Sequence, residues 1–136
     1  MKTAMPTIEQ VRELPELLRL TVPAEWEDIN GHVNVQHYTA MYDLAGDPIM
    51  AMLGIDEQFV EVQRVGFFEL EHHVWYLDEI LIGQDVAIHA RMVECGDKRM
   101  LGLIFIVNLT AERLASVIEY VATAASLDTR RAVALP

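Results

Sequence analysis

An α+β fold, one long helix held by an antiparallel sheet, is predicted by three features of this chain. A strand-like run occupies residues 16–22, apolar residues then recur at helical spacing from Tyr38 to Leu53, and beyond Gly54 the pattern drops to that of strands and stays there. Between the first strand and the helix lies a loop, residues 26–34, crowded with groups able to do chemistry.

Residues 1–15 carry Ile8, Val11 and Leu14 at helical spacing between two prolines. They read as a short helix or an ordered arm outside the core. In 16–22, Leu18, Leu20 and Val22 alternate with Arg19 and Thr21, and Pro23 ends the run, which makes it a strand with one wet face. The helix buries Met41, Tyr42, Ala45, Ile49, Met52 and Leu53 on one side. Asn34 suits its N-cap and Val35 its first helical position, leaving further N–H groups turned toward the loop. Pro48 lies within it, removes the bond to residue 44 and costs about 3 kcal/mol in a regular interior. Either the helix kinks there or Asp47 caps a second segment.

Five further strands are expected at 59–69, 70–82, 85–95, 100–109 and 114–127, with clear turns at 82–85 and 94–98. The run LGLIFIV at 101–107 does not alternate. It therefore belongs in the middle of the sheet, one face under the long helix and the other under a partner. No repeat or linker interrupts the chain, so residues 1–136 read as one domain with an N-terminal arm.

The apolar fraction, 52%, is high for a lone small domain and implies that part of it is covered by another copy. With 21 acidic against 10 basic residues and a net charge of −11, the chain repels a phosphate backbone, which argues against nucleic acid. Its one cysteine, Cys95, excludes an internal disulfide and fits a reducing cytoplasm. No signal-like segment and no run near the roughly 18 apolar residues of a membrane span is present, so a cytoplasmic protein without a membrane partner is expected.

Asp28 is the first candidate catalyst. A carboxylate beside a helix N-terminus can attack a carbonyl or take a proton from water while free N–H groups hold the oxyanion. Read alone, it is more readily a solvated loop aspartate. Asn30, Gly31, His32 and Asn34 crowd the loop with more donors than a turn needs, although Gly31 has a use in supplying positive φ and His32 in bracing the loop. The Val35 N–H is the candidate oxyanion donor, with capture by water or Asn34 as the plainer reading.

The stretch Glu69 to Trp75 is the second concentration of ionisable groups. As a regular strand it places Glu69, Glu71, His73 and Trp75 on one face and Leu70, His72, Val74 and Tyr76 on the other. Glu71 and His73 are candidates for completing the site or for a buried ion pair. The adjacent histidines face opposite ways and lack cysteine or helical histidine company, so no metal is expected. Trp26, Tyr38, Tyr42, Trp75 and Tyr76 serve either the core or cation–π binding of an acyl group. Lys98 and Arg99, with Arg130 and Arg131, are basic pairs suited to phosphates or to plain solvation.

The run Asp28-Ile29-Asn30-Gly31-His32-Val33-Asn34, with Tyr38 following in a helix, resembles the D-x-x-G-H-V-N signature of hotdog-fold acyl-CoA thioesterases of the 4-hydroxybenzoyl-CoA type. Val22-Pro23, Trp26, the E-x-H-V run at 71–74, Lys98-Arg99 and Arg130-Arg131 make the likeness closer to thioesterases of carnitine catabolism, which act on betainyl-CoA. Two residues depart from that pattern: an apolar Val35, where the carnitine group tends to be polar, and Pro48. The resemblance implies a curved sheet around a central helix and thioester hydrolysis with no cofactor beyond the coenzyme A substrate itself. It further implies Asp28 as the catalytic carboxylate and Val35 as the oxyanion donor. The site would then lie at the interface of a homodimer or dimer of dimers, with Glu71 and His73 contributed by the partner. A hotdog hydratase or dehydratase and a noncatalytic acyl-CoA binder are the competing readings.

Overall fold

The computed structural model describes residues 5–136; the first four residues of the expected arm lie outside that range. The elements are α1 (Ile8–Arg12), β1 (Glu16–Thr21), a 3-10 turn (Ala24–Trp26), α2 (Gln36–Met52), α3 (Glu57–Gln63), β2 (Val65–Tyr76), β3 (Asp85–Cys95), β4 (Arg99–Asn108) and β5 (Arg113–Ser126). The strands form one sheet in the order β1-β3-β4-β5-β2, antiparallel throughout. α2 lies across one face of the sheet. This is the hotdog arrangement that the sequence resemblance implies.

β4 is the middle strand, as its unbroken apolar run requires, and Ile104, Phe105, Ile106 and Val107 are all buried. Ile104 and Ile106 pack under α2 with Met41, Ala45 and Ile49. Their neighbours Phe105 and Val107 turn to the other face and meet Val11 of α1 and Val117 of β5. Here the structure corrects the sequence expectation. The outer face of β4 is covered by the chain's own N-terminal helix, and Val11, placed outside the core by its sequence position, is fully buried. A five-residue helix has little stability alone, but its capping box, Thr7 with Gln10, and the burial of its apolar side hold it in place.

α2 runs through Pro48 as a single helix of 17 residues, so no second segment capped by Asp47 forms. Packing of Met41, Ala45 and Ile49 into the core outweighs the one lost hydrogen bond.

Two of the expected strands, 59–69 and 70–82, are redrawn. Residues 59–63 are helical, not extended: the Asp56 carboxylate accepts the Phe59 N–H at 2.8 Å, and Arg64 ends α3 in the left-handed region at φ 56°. Residues 65–76 are one strand, not parts of two. The pairing with β5 jumps from Glu69↔Ala122 to Glu71↔Val121, so Leu70 is taken up in a β-bulge instead of a turn. Residues 77–82 are not a strand, because their backbone groups are used elsewhere: the Leu77 and Asp78 N–H groups bond the Ala115 carbonyl, and the Ile80 carbonyl accepts the Val33 N–H at 2.8 Å. Among the described residues no helix is long and apolar enough to cross a membrane.

Candidate active site

The loop between β1 and α2 sits at the end of the sheet where β1 and β2 finish and β5 begins. Buried Val33 anchors it through the Ile80 carbonyl, and the Asn34 N–H bonds the Trp26 carbonyl at 2.9 Å. Within it the chain turns tightly. The Gly31 N–H donates to the Asp28 carbonyl and the Asp28 N–H to the His32 carbonyl, both at 3.0 Å, with Gly31 at φ 77°. A side chain at Gly31 meets no neighbouring atom, so it is the backbone conformation that calls for glycine there.

Both oxygens of the Asp28 carboxylate are engaged. Oδ1 accepts the Asn30 N–H at 2.8 Å, Oδ2 accepts the Asn34 side-chain amide at 3.2 Å, and His32 Nδ1 stands 3.9 Å from Oδ1. The side chain is 17% exposed. The Asn30 N–H is the strongest influence on this carboxyl and holds it below its ordinary value; partial desolvation opposes it, and Asn34 and His32 add to the lowering. Asp28 is therefore an ionised, oriented carboxylate at neutral pH.

Asn34 also governs the start of α2. Its Oδ1 accepts the Gln36 N–H at 3.1 Å while its carbonyl takes the His37 N–H at 3.0 Å. The Tyr38 N–H bonds the Val35 carbonyl, which leaves the Val35 N–H as the group at the helix head that donates to no acceptor among the described residues. The patch of free donors is thus narrower than the sequence suggested: one exposed amide instead of several. One asparagine ties that helix head to the carboxylate.

The other sequence candidates scatter. Trp26 stays beside the loop, stacked on His37 with ring centroids 4.8 Å apart. Tyr38 is buried and meets Tyr76 edge to face, so it supports the helix from within the core. Glu71, His73 and Trp75 lie on the outer face of the sheet. His73 stacks on Trp75 at 4.0 Å and Trp75 packs near α1, so in this subunit they join neither Asp28 nor a buried ion pair. Lys98 and Arg99 stand at the opposite end of the sheet from Asp28, with Arg64, Arg130 and Arg131 around the ends of β2 and β5. Half of the chain's 10 basic residues gather at that pole.

What the sequence reading missed is a second polar centre on the helix side of β2. The bulge at Leu70 turns Glu69 to the same face as His72, Val74 and Tyr76. There Glu69 Oε1 accepts the Tyr42 hydroxyl at 2.8 Å and Oε2 lies 3.0 Å from His72 Nε2. The Tyr42 ring is 4.7 Å from His72 and 5.5 Å from Tyr120. Strict alternation assigns Glu69 to the wrong face, and nothing in the local sequence marks the bulge.

Comparison with known proteins places this architecture. The model of the thioesterase-like superfamily matches residues 22–136. Over 76 residues the chain is 32% identical to a betainyl-CoA thioesterase of Pseudomonas aeruginosa, covering 56% of this chain and 48% of the relative. A Rhizobium meliloti protein, L-carnitine dehydrogenase/betainyl-CoA thioesterase, is 26% identical over 84 residues, 62% of this chain and 17% of that protein. The chain thus spans at most about half of these relatives. Among solved structures, a Staphylococcus aureus protein in complex with CoA superposes with a TM-score of 0.83 at 22% identity, covering 99% of this chain and 81% of that one. The 1,4-dihydroxy-2-naphthoyl-CoA thioesterase of Synechocystis gives 0.76 at 13% identity, with 88% of each chain covered. At these identities the structural likeness speaks for the fold. The family match covers nearly the whole chain beyond β1, and the chain belongs to the thioesterase-like superfamily, in its hotdog form.

Proposed function

We propose that this chain hydrolyses acyl-CoA thioesters, with Asp28 as the catalytic carboxylate and the Val35 N–H as the oxyanion donor. The observation that carries the reading is the double use of Asn34: the same side chain orients Asp28 and closes the Gln36 N–H, so that the free Val35 N–H stands at the helix end tied to the carboxylate. In the general-base form, Asp28 takes a proton from water, hydroxide adds to the thioester carbonyl, and the Val35 N–H with the helix dipole stabilises the oxyanion. The C–S bond then breaks, and CoA thiolate leaves and takes up the proton. In the nucleophilic form, Asp28 adds first and water resolves the mixed anhydride. Oxygen-18 from solvent enters Asp28 in a single turnover only by the second route. His32, Asn30 and Gly31 shape the loop, and Trp26 borders it.

A second copy completes the site in this reading. β2 is a 12-residue edge strand with an open side, beside the exposed Leu70, Tyr76 and Val35. Antiparallel pairing of β2 with its copy sets the basic pole of one subunit, Lys98 and Arg99 included, beside the Asp28 end of the other, where CoA phosphates need cations. Pairing of such dimers into a tetramer, and a cytoplasmic location in keeping with the exposed Cys95 thiol, belong to the same proposal.

The test is release of free thiol by the purified chain across a panel of acyl-CoAs, with Asp28→Asn alongside. Turnover lost in the variant supports the reading. Unchanged turnover removes Asp28, hydration of 2-enoyl-CoA without thiol release makes it a hydratase, and calorimetric binding with no turnover makes it a binder.

A further inference from the structure

Two cavities lie against the C-terminal half of α2, and the catalytic reading uses neither. The first, of about 260 Å³, is on the β2 side of the helix. Exposed Asp43, Asp47 and Glu69 border its open side, and buried Ile49, Met100 and Tyr120 close its inner end. The second, of about 300 Å³, is on the β1 side. Leu14 and Leu17 line it, with Met52 and Leu53 from the end of α2 and Ala90 and Met92 from β3. Arg91 is the one charged residue in that lining.

Ile49 and Tyr120 are the two residues that line both spaces. One comes from the helix and the other from the sheet, at 8% and 4% exposure, so together they form a wall between the cavities. The Tyr120 part of the wall is fixed in position. A Cβ at Gly102 would overlap its hydroxyl, so the outer end of the ring rests directly on β4 in a seat that only glycine leaves open. Tyr42 stands against the ring with centroids 5.5 Å apart, and its own hydroxyl is tied to Glu69. A ring seated this closely blocks passage along the underside of the helix.

Each cavity stands at or below the lower end of the usual range for ligand sites, about 300–1,000 Å³, whereas the two joined would fall well inside it. In the antiparallel dimer proposed above, the two copies of α2 run in opposite directions, which turns the first cavity toward the Asp28 loop of the second copy. A straight acyl chain held at that loop runs into the first cavity and meets Tyr120 before it reaches the apolar second one.

We propose that Tyr120 is the residue that sets acyl chain length: it ends the acyl space at the first cavity and keeps the second out of reach. The inference rests on the thioesterase reading and adds to it a limit on chain length and the residue that imposes it.

The experiment compares kcat/KM for straight-chain butanoyl-CoA and decanoyl-CoA in the unmodified protein, in Tyr120→Ala and in Tyr120→Leu. The unmodified protein is expected to favour butanoyl-CoA by about tenfold or more. Each methylene that gains cover in the joined cavity is worth about fourfold, so Tyr120→Ala is expected to raise the decanoyl to butanoyl ratio by about tenfold or more, and Tyr120→Leu by less. The ratio does not depend on how much of a variant is folded, and Tyr120→Leu, which leaves the smaller void, decides the matter if Tyr120→Ala does not fold. Decanoyl-CoA cleaved as fast as butanoyl-CoA by the unmodified protein overturns the inference and leaves the thioesterase reading intact, as does an unchanged ratio in the variants. If neither thioester is cleaved, calorimetric Kd values for the same pair decide in place of rates. Tighter binding of decanoyl-CoA that appears only in the variants supports the wall, and the same preference in all three proteins, or no binding, overturns it. The thioesterase reading itself fails only when no acyl-CoA of the panel releases thiol.

Discussion

Two carboxylates, Asp28 and Glu69, flank α2, and they are held by different means. Asp28 is gripped by groups within six residues of itself: the Asn30 N–H, the Asn34 amide and, more distantly, His32. Glu69 is gripped by Tyr42, 27 residues away, and by His72 across a bulge. The first arrangement is a local device that any chain folding through the same turn assembles. The second exists only after sheet and helix have docked. Chemistry that needs an ionised group with fixed direction suits the first, and recognition, which needs a shaped space, suits the second.

Removing either carboxylate's role tests that division, and the largest effect belongs to Asp28. Asp28→Asn is expected to lower thioester turnover by about 10²–10⁴-fold while leaving the circular dichroism spectrum unchanged. Equal loss of turnover and fold would make Asp28 a structural residue.

Asn34→Ala comes next, because it severs the link between carboxylate and helix head. Loss of the cap is expected to cost about 0.5–2 kcal/mol in denaturant titration, with a fall in turnover beyond what that destabilisation explains. The variant also moves the acid limb of kcat/KM. In the unmodified protein Asp28 is held below the ordinary 3.8, so its ionised form persists as pH falls toward that value. A carboxyl lowered by folding stabilises the fold above its unfolded pKa, and that contribution is lost as pH drops through the lower folded one. In Asn34→Ala the acid limb shifts upward; a limb that stays put assigns it to another group.

Tyr42→Phe is smaller. Loss of one hydrogen bond to the half-exposed Glu69 is expected to cost about 1 kcal/mol, read as a shift in denaturant midpoint at constant slope. If the Asp28 site instead responds more strongly than stability does, the two centres are coupled.

Glu71→Gln and His73→Ala are expected to change least, within about threefold in kcat/KM, because both side chains are exposed on the outer face. A large loss in either would mean that a second copy carries them to the site, and the contrast drawn here would then hold for one subunit only.

Much of this was legible in the residues. The Asp28 loop, the Asn34 cap and the central place of β4 were readable because each is written in neighbouring residues: turn formers, a capping side chain, an unbroken apolar run. Where several local signals competed, the reading failed. Phe59, Val60 and Val62 look like strand residues, yet the Asp56 cap starts a helix. The strand after it took in one residue too many, and the face of Glu69 changed with it.

By itself, then, the sequence determined the class of fold, the strand-helix-meander order and the make-up of the Asp28 loop, because periodicity and capping act over a few residues. Tertiary structure alone decided that α1 covers the outer sheet, that Glu71 and His73 turn away from Asp28, and that Glu69 meets Tyr42 beside a cavity. These depend on register and docking. A single residue absorbed in a bulge reverses which face a side chain serves, and no local pattern records whether that happens.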